Sequence, residues 1–358
     1  MFKQIILIFL LMVSLIMAGC SSPEVEPTPA PVSEADLTAV KQYALDNAQQ
    51  MKQGTTNLLT AAQAYYDLAA SSGFDYQAMW DNNTTEAAQL VADAQAAWVE
   101  ASTHYELDEG IIAGVPSLAS YDVWIDAGPS AEEDPAEAYE WTLELPDGRS
   151  LTSPGNFFHS LLEPTIWGTN PEFTGLAVDL DGDGAVELGE ALPEANMLLG
   201  AAQGLDGATS EMITAVTDWQ PSLSDAFTAL VVMIPTMNEY FEQWKLSSYI
   251  AGSQTQETAF IGASRLFDIN GILNGLDITY DNVADLVADS DPNLHGQIAD
   301  GFDDLRGYVS DLYTQEQNGT RFTAEQADLF GTEAQNKATA LAGQVSQAAV
   351  LLNITIEE

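Results

Sequence analysis

"EAAQLVADAQAAWVEASTHYELDE", residues 86–109, is the stretch whose reading decides the fold. It reads as the body of a long Ala-rich helix that starts near Thr84 or Thr85, after breaks at Gly73 and at Asp81-Asn82-Asn83. Upstream, Ser33 followed by Glu34, Ala35 and Asp36 is an N-cap signal with acids in the first turn, where the helix dipole favours them. Leu37, Val40, Tyr43 and Ala44 then recur at helical spacing, so residues 34–110 are predicted to be two long helices. Helical patterns return in "SLSDAFTALVVMIPTMNEYFEQWKLSSYIA" (222–251), "TAFIGASRLFDINGILNGL" (258–276), "NLHGQIADGFDDLRGYVSDLYTQE" (293–316) and "FTAEQADLFGTEAQNKATALAGQVSQAAVLL" (322–352). Long amphipathic helices with short polar breaks are the pattern of antiparallel bundles, and the class expected is all-α.

Between Gly114 and about Leu192 the texture changes to Pro, Gly and Asp. "WTLELPDGRSLTS" (141–153) has two alternating runs around Asp147-Gly148, a hairpin signal. "DLDGDGAVELGE" (179–190) follows the EF-hand loop pattern. Asp179, Asp181 and Asp183 occupy loop positions 1, 3 and 5, Gly184 position 6, Glu187 position 9 and Glu190 position 12. Alternate carboxylates point inward, Gly184 permits the sharp turn, Ala185 offers its carbonyl, and Glu190 closes the site with both oxygens around Ca2+. The preceding "NPEFTGLAV" does not read as helix, so a lone calcium loop that pins this region is expected.

The N-terminus carries Lys3, an apolar run from Ile5 to Met17 and then "LIMAGC", ending at Cys20. About thirteen apolar residues are too few to cross ~30 Å of hydrocarbon, and the pattern is a secretory signal with a lipobox. Residues 1–20 are therefore read as a lipoprotein signal, with Cys20 the lipidated residue that anchors the protein to a membrane in the cell envelope. "SSPEVEPTPAPVSE" has almost nothing to bury, and residues 21–33 read as a solvated tether. With Cys20 the only cysteine and committed to lipid, internal disulfides and Cys-based metal chemistry are excluded.

The chain has 54 acidic and 9 basic residues, a formal charge of −45. That balance disfavours nucleic acid and anionic membrane surfaces, which need cationic patches, and attracts cations. Adaptation to salt or acid would produce the same surface.

"NFFHSLLEPTIWG" (156–168) holds one of three histidines. On a wheel at 100° per residue, Phe157, Phe158, Leu161 and Leu162 form one stripe, and His159 and Glu163 lie side by side on the opposite face. A histidine and a carboxylate one turn apart can share a cation, and Pro164 is expected to end or kink this helix.

This segment with Gly155, together with "AAWVEASTHYELDEG" (96–110), "SRLFDINGILNGL…LVADSDPNL" and "ALAGQVSQAAVLLNI", resembles the imelysin family over roughly residues 34–355. The first segment is similar to the family's Gly-x-His-x-x-Glu motif with its trailing Trp-Gly, though here Gly155 lies four before the histidine and Glu163 four after. Ser102 stands where the family commonly has arginine. The resemblance implies two antiparallel four-helix bundles, the first over about 34–205 with the loop-rich insertion 114–192 and the second over about 206–358. It implies metal ligands His159, Glu163 and, from the first bundle, Glu109, holding Fe or Zn. His104 and Asp108 form a second i, i+4 pair that could serve instead, and His295 is read as a capping or surface residue.

Three functions follow. The first is a lipid-anchored, extracytoplasmic, non-catalytic protein that captures or takes up iron or another divalent cation, with a permease or uptake partner. The second is a zinc-dependent M75-type metallopeptidase, against which stand the lack of HExxH and the wide spacing of the histidines. The third is a calcium-stabilised surface module that binds a partner protein.

Overall fold

The computed structural model describes residues 35–255 and 258–357; the signal, Cys20, the tether and the Ser33 cap lie outside them. Two long helices open the chain, α1 (Thr38–Ser71) and α2 (Tyr76–Ile112), followed by a short α3 (Ala119–Asp122). Two hairpins follow: β1 (Thr142–Glu144) with β2 (Ser150–Thr152), and β3 (Thr174–Ala177) with β4 (Ala191–Pro193), with a short α4 (Glu163–Ile166) between them. The remainder is α5 (Ala195–Asp218), α6 (Leu223–Met233), α7 (Met237–Leu246), α8 (Ser248–Ala251), α9 (Arg265–Asp281), α10 (Ala284–Ser290), α11 (Pro292–Gln317) and α12 (Ala324–Leu351). The protein is mostly helical, as the periodicity predicts.

The buried positions of α1 recur at three- and four-residue steps, Val40, Ala44, Ala48, Met51, Leu58, Ala62 and Tyr65, and this stripe packs on α2 and α5. At the other end of the molecule α12 packs on α7, α11 and α6. The two groups are joined by α2 lying against α9. That contact is tight because α9 presents glycines: a Cβ at Gly275 would stand 2.6 Å from the Leu107 carbonyl oxygen, and one at Gly271 would stand 3.0 Å from the Glu106 carbonyl carbon. Small residues here bring Glu106 against the α9 residues Arg265 and Asp268.

Four sequence expectations need correction. The helix expected from Thr84 begins at Tyr76, where the Asp75 side chain accepts from the Ala78 amide; the Asp81-Asn82-Asn83 cluster only kinks it at Asn83 (φ −137°). The bundle boundary expected at 205/206 falls inside the continuous helix α5. Gly204 does not break that helix; it leaves room for the Phe157 ring, which a Cβ there would meet at 2.4 Å. Residues 258–264, expected to be helical, form an irregular loop ahead of α9. Pro164 does not end its helix, because it sits near the start of α4, where a missing amide hydrogen costs little.

Candidate metal centre

Two rare turns build the centre. Residues Val123–Ala127 and Phe157–Leu162 are π-helical, with Gly128 N–H donating to the Val123 carbonyl and Glu163 N–H to the Phe158 carbonyl, each five residues back. Such turns occur mostly as single widened turns at functional sites. They pack on each other, and Asn156 ties them: its Oδ1 accepts from the His159 and Ser160 amides while its Nδ2 donates to the Gly128 carbonyl. The first turn carries Asp126, with Asp122 just before it, and the second carries His159. Helix α2 adds Glu106 and Glu109, three apart and so on one face.

These side chains form two overlapping donor sets. Glu106, Asp126 and His159 offer ligand atoms within 4.8 Å of one another, and so do Glu109, Asp122 and Asp126. All five residues are buried. His159 Nε2 stands 3.2 Å from Asp126 Oδ1, yet neither atom makes a hydrogen bond of sound geometry. Both oxygens of Glu106 and Oε2 of Glu109 also lack partners. Buried polar atoms are nearly always satisfied, so this concentration of atoms without a hydrogen bond makes the cluster the candidate place for a bound cation.

Charge is heavily unbalanced here. Burial, then Asp268 and Glu109, push Glu106 well above the ordinary carboxylate range; burial, then Glu109 and Asp126, do the same to Asp122. Burial and Asp126 raise Glu109 to about 7 against the pull of Arg265. Burial opposes charge on His159, but Asp126 and the hydrogen bond that His159 Nδ1 donates to Glu163 outweigh it and raise the imidazole to about 10; Asp126, which burial alone would raise, is correspondingly held low by His159. Arg265 is the one buried guanidinium described at the centre; it pairs with Asp268 at 2.8 Å and reaches Glu106 only at 3.9 Å. Tyr105 donates to Asp122 at 2.7 Å, and Tyr240 donates to Glu109 Oε1.

Glu163 has a different job from the one expected. Its Oε2 meets His159 Nδ1 at 2.8 Å, and its two oxygens accept from the amides of Phe260, Ile261 and Gly262 at 2.7–2.8 Å. With those contacts it is an orienting partner of the imidazole and the anchor of the 258–264 loop, the role carboxylates often play behind a metal-bound histidine. The loop covers His159, whose ring lies 4.5 Å from the Phe260 ring; Phe260 in turn stands 4.4 Å from the Arg265 guanidinium. Phe260 adopts φ +55°, a strained conformation for a non-glycine residue, and three amides held by one carboxylate fix it there. The wheel puts His159 and Glu163 opposite the apolar stripe; they are buried all the same, because a loop a hundred residues away closes over that face. A pocket of about 720 Å³ reaches this cover from outside, lined by Asn156, His159, Ser160, Glu172, Ala259 and Phe260 among others.

The remaining expectations divide. Glu109 lies with Asp122 and Asp126, in the donor set that contains neither His159 nor Glu163. His104 and Asp108 do not join each other: His104 Nδ1 faces Asn47 Oδ1 at 3.3 Å, and Asp108 is fully buried beneath α1. His295 is not a cap, since Asp291 caps α11; its ring stacks on Tyr280 and Nδ1 bonds the Tyr280 hydroxyl. Asp126, Asp122 and Glu106 were missed. A signal existed in "YDVWIDAG", where two aspartates four apart interrupt an apolar run, and in "YELDE", where Glu106 shares the Glu109 face.

The loop Asp179–Glu190 is folded on its own backbone amides. Asp179 accepts from the Gly182 and Gly184 amides, Asp181 from Asp183, Asp183 from Ala185, and Glu190 from Leu180, Asp181 and Glu187. Gly184 has φ +98°, which explains the glycine at position 6. Asp179, Asp181 and Glu190 bring carboxylate oxygens within 4.8 Å of one another; the Asp183 and Glu187 carboxylates are not in that set. Strands β3 and β4 flank the loop where an EF-hand would have helices.

No curated protein matches the chain. The family model for imelysin, peptidase M75, matches residues 43–352, which contain both donor sets described above. The chain belongs to the imelysin family.

Proposed function

We propose that this is a lipid-anchored, extracytoplasmic metal-binding protein that captures iron or another divalent cation for uptake, with a separate structural calcium site in Asp179–Glu190. The observation that carries the reading is the set of buried, unpartnered donors around Asp126: both Glu106 oxygens, Glu109 Oε2 and His159 Nε2. A mixed imidazole and carboxylate set suits Fe(II), Mn(II) or Zn(II). Glu163 behind His159 fixes the ring so that Nε2 is offered inward. The surplus of 54 acids over 9 bases steers cations toward the protein and away from anionic partners. The lipobox at Cys20, the division into two four-helix bundles and a permease partner belong to the same proposal.

The direct test is calorimetric titration of the stripped protein with Fe(II) and Zn(II) beside a His159→Ala variant. Tight binding weakened in the variant supports the reading; identical titrations of the two proteins remove it. A peptidase reading draws on the pocket next to His159, which could seat a peptide segment. It requires metal-dependent cleavage of a peptide library, and a stripped and reloaded protein that cleaves nothing excludes it.

A further inference from the structure

We infer that the centre holds two cations sharing Asp126 as a common ligand. The pair of ions presupposes the metal-binding role proposed above and specifies its stoichiometry. Glu106, Asp126 and His159 form one donor set and Glu109, Asp122 and Asp126 the other; Asp126 is the only member of both, and no larger set meets the same spacing among the described residues. One ion on the first set would leave Glu109 Oε2 without a partner, and one on the second would leave both Glu106 oxygens without one. Buried atoms without a hydrogen bond belong to each: both Glu106 oxygens to the first, with Asp126 Oδ1 and His159 Nε2 facing each other there at 3.2 Å, and Glu109 Oε2 to the second.

Arg265 is the buried guanidinium described among these acids, and it pairs with Asp268 at 2.8 Å while standing 3.9 Å from Glu106, so it closes neither donor set. Carboxylates projecting inward from facing helices, with one carboxylate spanning two ions, are an established way for helical proteins to hold metal pairs.

Mn(II) distinguishes the outcomes because two Mn(II) ions sharing a carboxylate are exchange-coupled, while isolated ions give a simple six-line spectrum. Stripped protein carrying Glu190→Ala, so that the surface loop contributes nothing, is titrated with Mn(II) and followed by electron paramagnetic resonance and calorimetry. Two equivalents with a coupled spectrum are expected. The double variant Glu109→Gln/Asp122→Asn, which keeps shape while removing charge, should bind one equivalent with an uncoupled spectrum. A single uncoupled equivalent that disappears in His159→Ala overturns the pair and leaves the metal-binding function intact. Mn(II) binding that is absent overturns the pair, and Mn(II) binding that is indifferent to His159→Ala overturns both. A coupled spectrum that survives in the Glu109→Gln/Asp122→Asn variant overturns the assignment of the second set.

Discussion

The acidic loop at 179–190 and the buried centre around Asp126 are both clusters of carboxylates, and they are built on opposite principles. In the loop the donors come from one uninterrupted run, lie at the surface, and are stitched to backbone amides: Asp179 to Gly182 and Gly184, Glu190 to Leu180, Asp181 and Glu187. In the centre they come from α2, two π-helical turns and their surroundings, lie in the interior, and several have no donor at all. The loop therefore keeps its shape without an ion. The centre without an ion must hold protons on buried acids or bear unpaired charge.

The largest expected effect breaks the cover of the centre rather than its ligands. Glu163→Ala removes the shared acceptor of the Phe260, Ile261 and Gly262 amides and the partner of His159 Nδ1. Leaving those groups unsatisfied should cost about 3–5 kcal/mol of stability, measured by urea unfolding of the metal-free protein. A loss under 1 kcal/mol would mean that the loop is held by something else. No single surface-loop substitution should approach that size.

Next in size is Asp126→Asn, which takes the shared carboxylate from both donor sets. Affinity for Zn(II) or Fe(II) at the centre should fall about 100-fold, or ~2.7 kcal/mol, while calcium affinity at the loop stays as in the wild type. If both affinities fell together, the two regions would not be independent and the contrast between them would fail.

A third prediction uses pH. The folded centre holds protons that the unfolded chain releases: Glu109 stays protonated up to about 7, burial and neighbouring acids raise Glu106 and Asp122 as well, and His159 stays charged up to about 10. For a group whose folded pKa is raised, the stability it contributes is complete below the unfolded pKa and is lost as pH rises through the folded one. The window for Glu109 runs from its ordinary 4.5 to about 7, and that for His159 from 6.5 to about 10. Asp126 has the opposite sign, but its depressed pKa confines its loss to the acid side of 3.8. The metal-free protein should thus lose thermal stability steadily from about pH 5 toward pH 9, and Zn(II) should restore most of it. A metal-free midpoint that rises over that range would contradict the buried acids.

The same contrast explains what the sequence could and could not disclose. Helices α1, α11 and α12 are legible because their apolar positions repeat locally, and the loop is legible because all its ligands lie within one short run. The centre is not, since its geometry depends on contacts remote in sequence. Gly271 and Gly275 set how closely α9 approaches α2, and the Phe260 loop turns an apparently exposed His159 into a buried one. A wheel at 100° per residue also misreads a segment whose backbone is π-helical. Asp126 was missed because it lies in a stretch read as loop, although the pair Asp122 and Asp126 was there to be counted.

The smallest effect belongs to the loop. Glu190 is the residue whose two oxygens draw the ends of the run together, accepting from Leu180 and Asp181 with one and from Glu187 with the other. Glu190→Gln should abolish calcium binding, because the site loses the bidentate carboxylate that closes an EF-type loop. Its effect on the fold should nevertheless be slight. The loop is tied to the rest by the short β3–β4 pairing, and Val186 and Leu188 are exposed, so little apolar surface depends on the loop's shape. Calcium at 100 times its Kd can add at most ~2.7 kcal/mol, and only to whatever unfolds together with the loop. Differential scanning calorimetry should therefore show a calcium-dependent rise in the wild type that vanishes in Glu190→Gln, with nearly equal midpoints for the two calcium-free proteins. A calcium-free variant melting as early as Glu163→Ala would show that the loop, not the buried centre, holds this half of the molecule together.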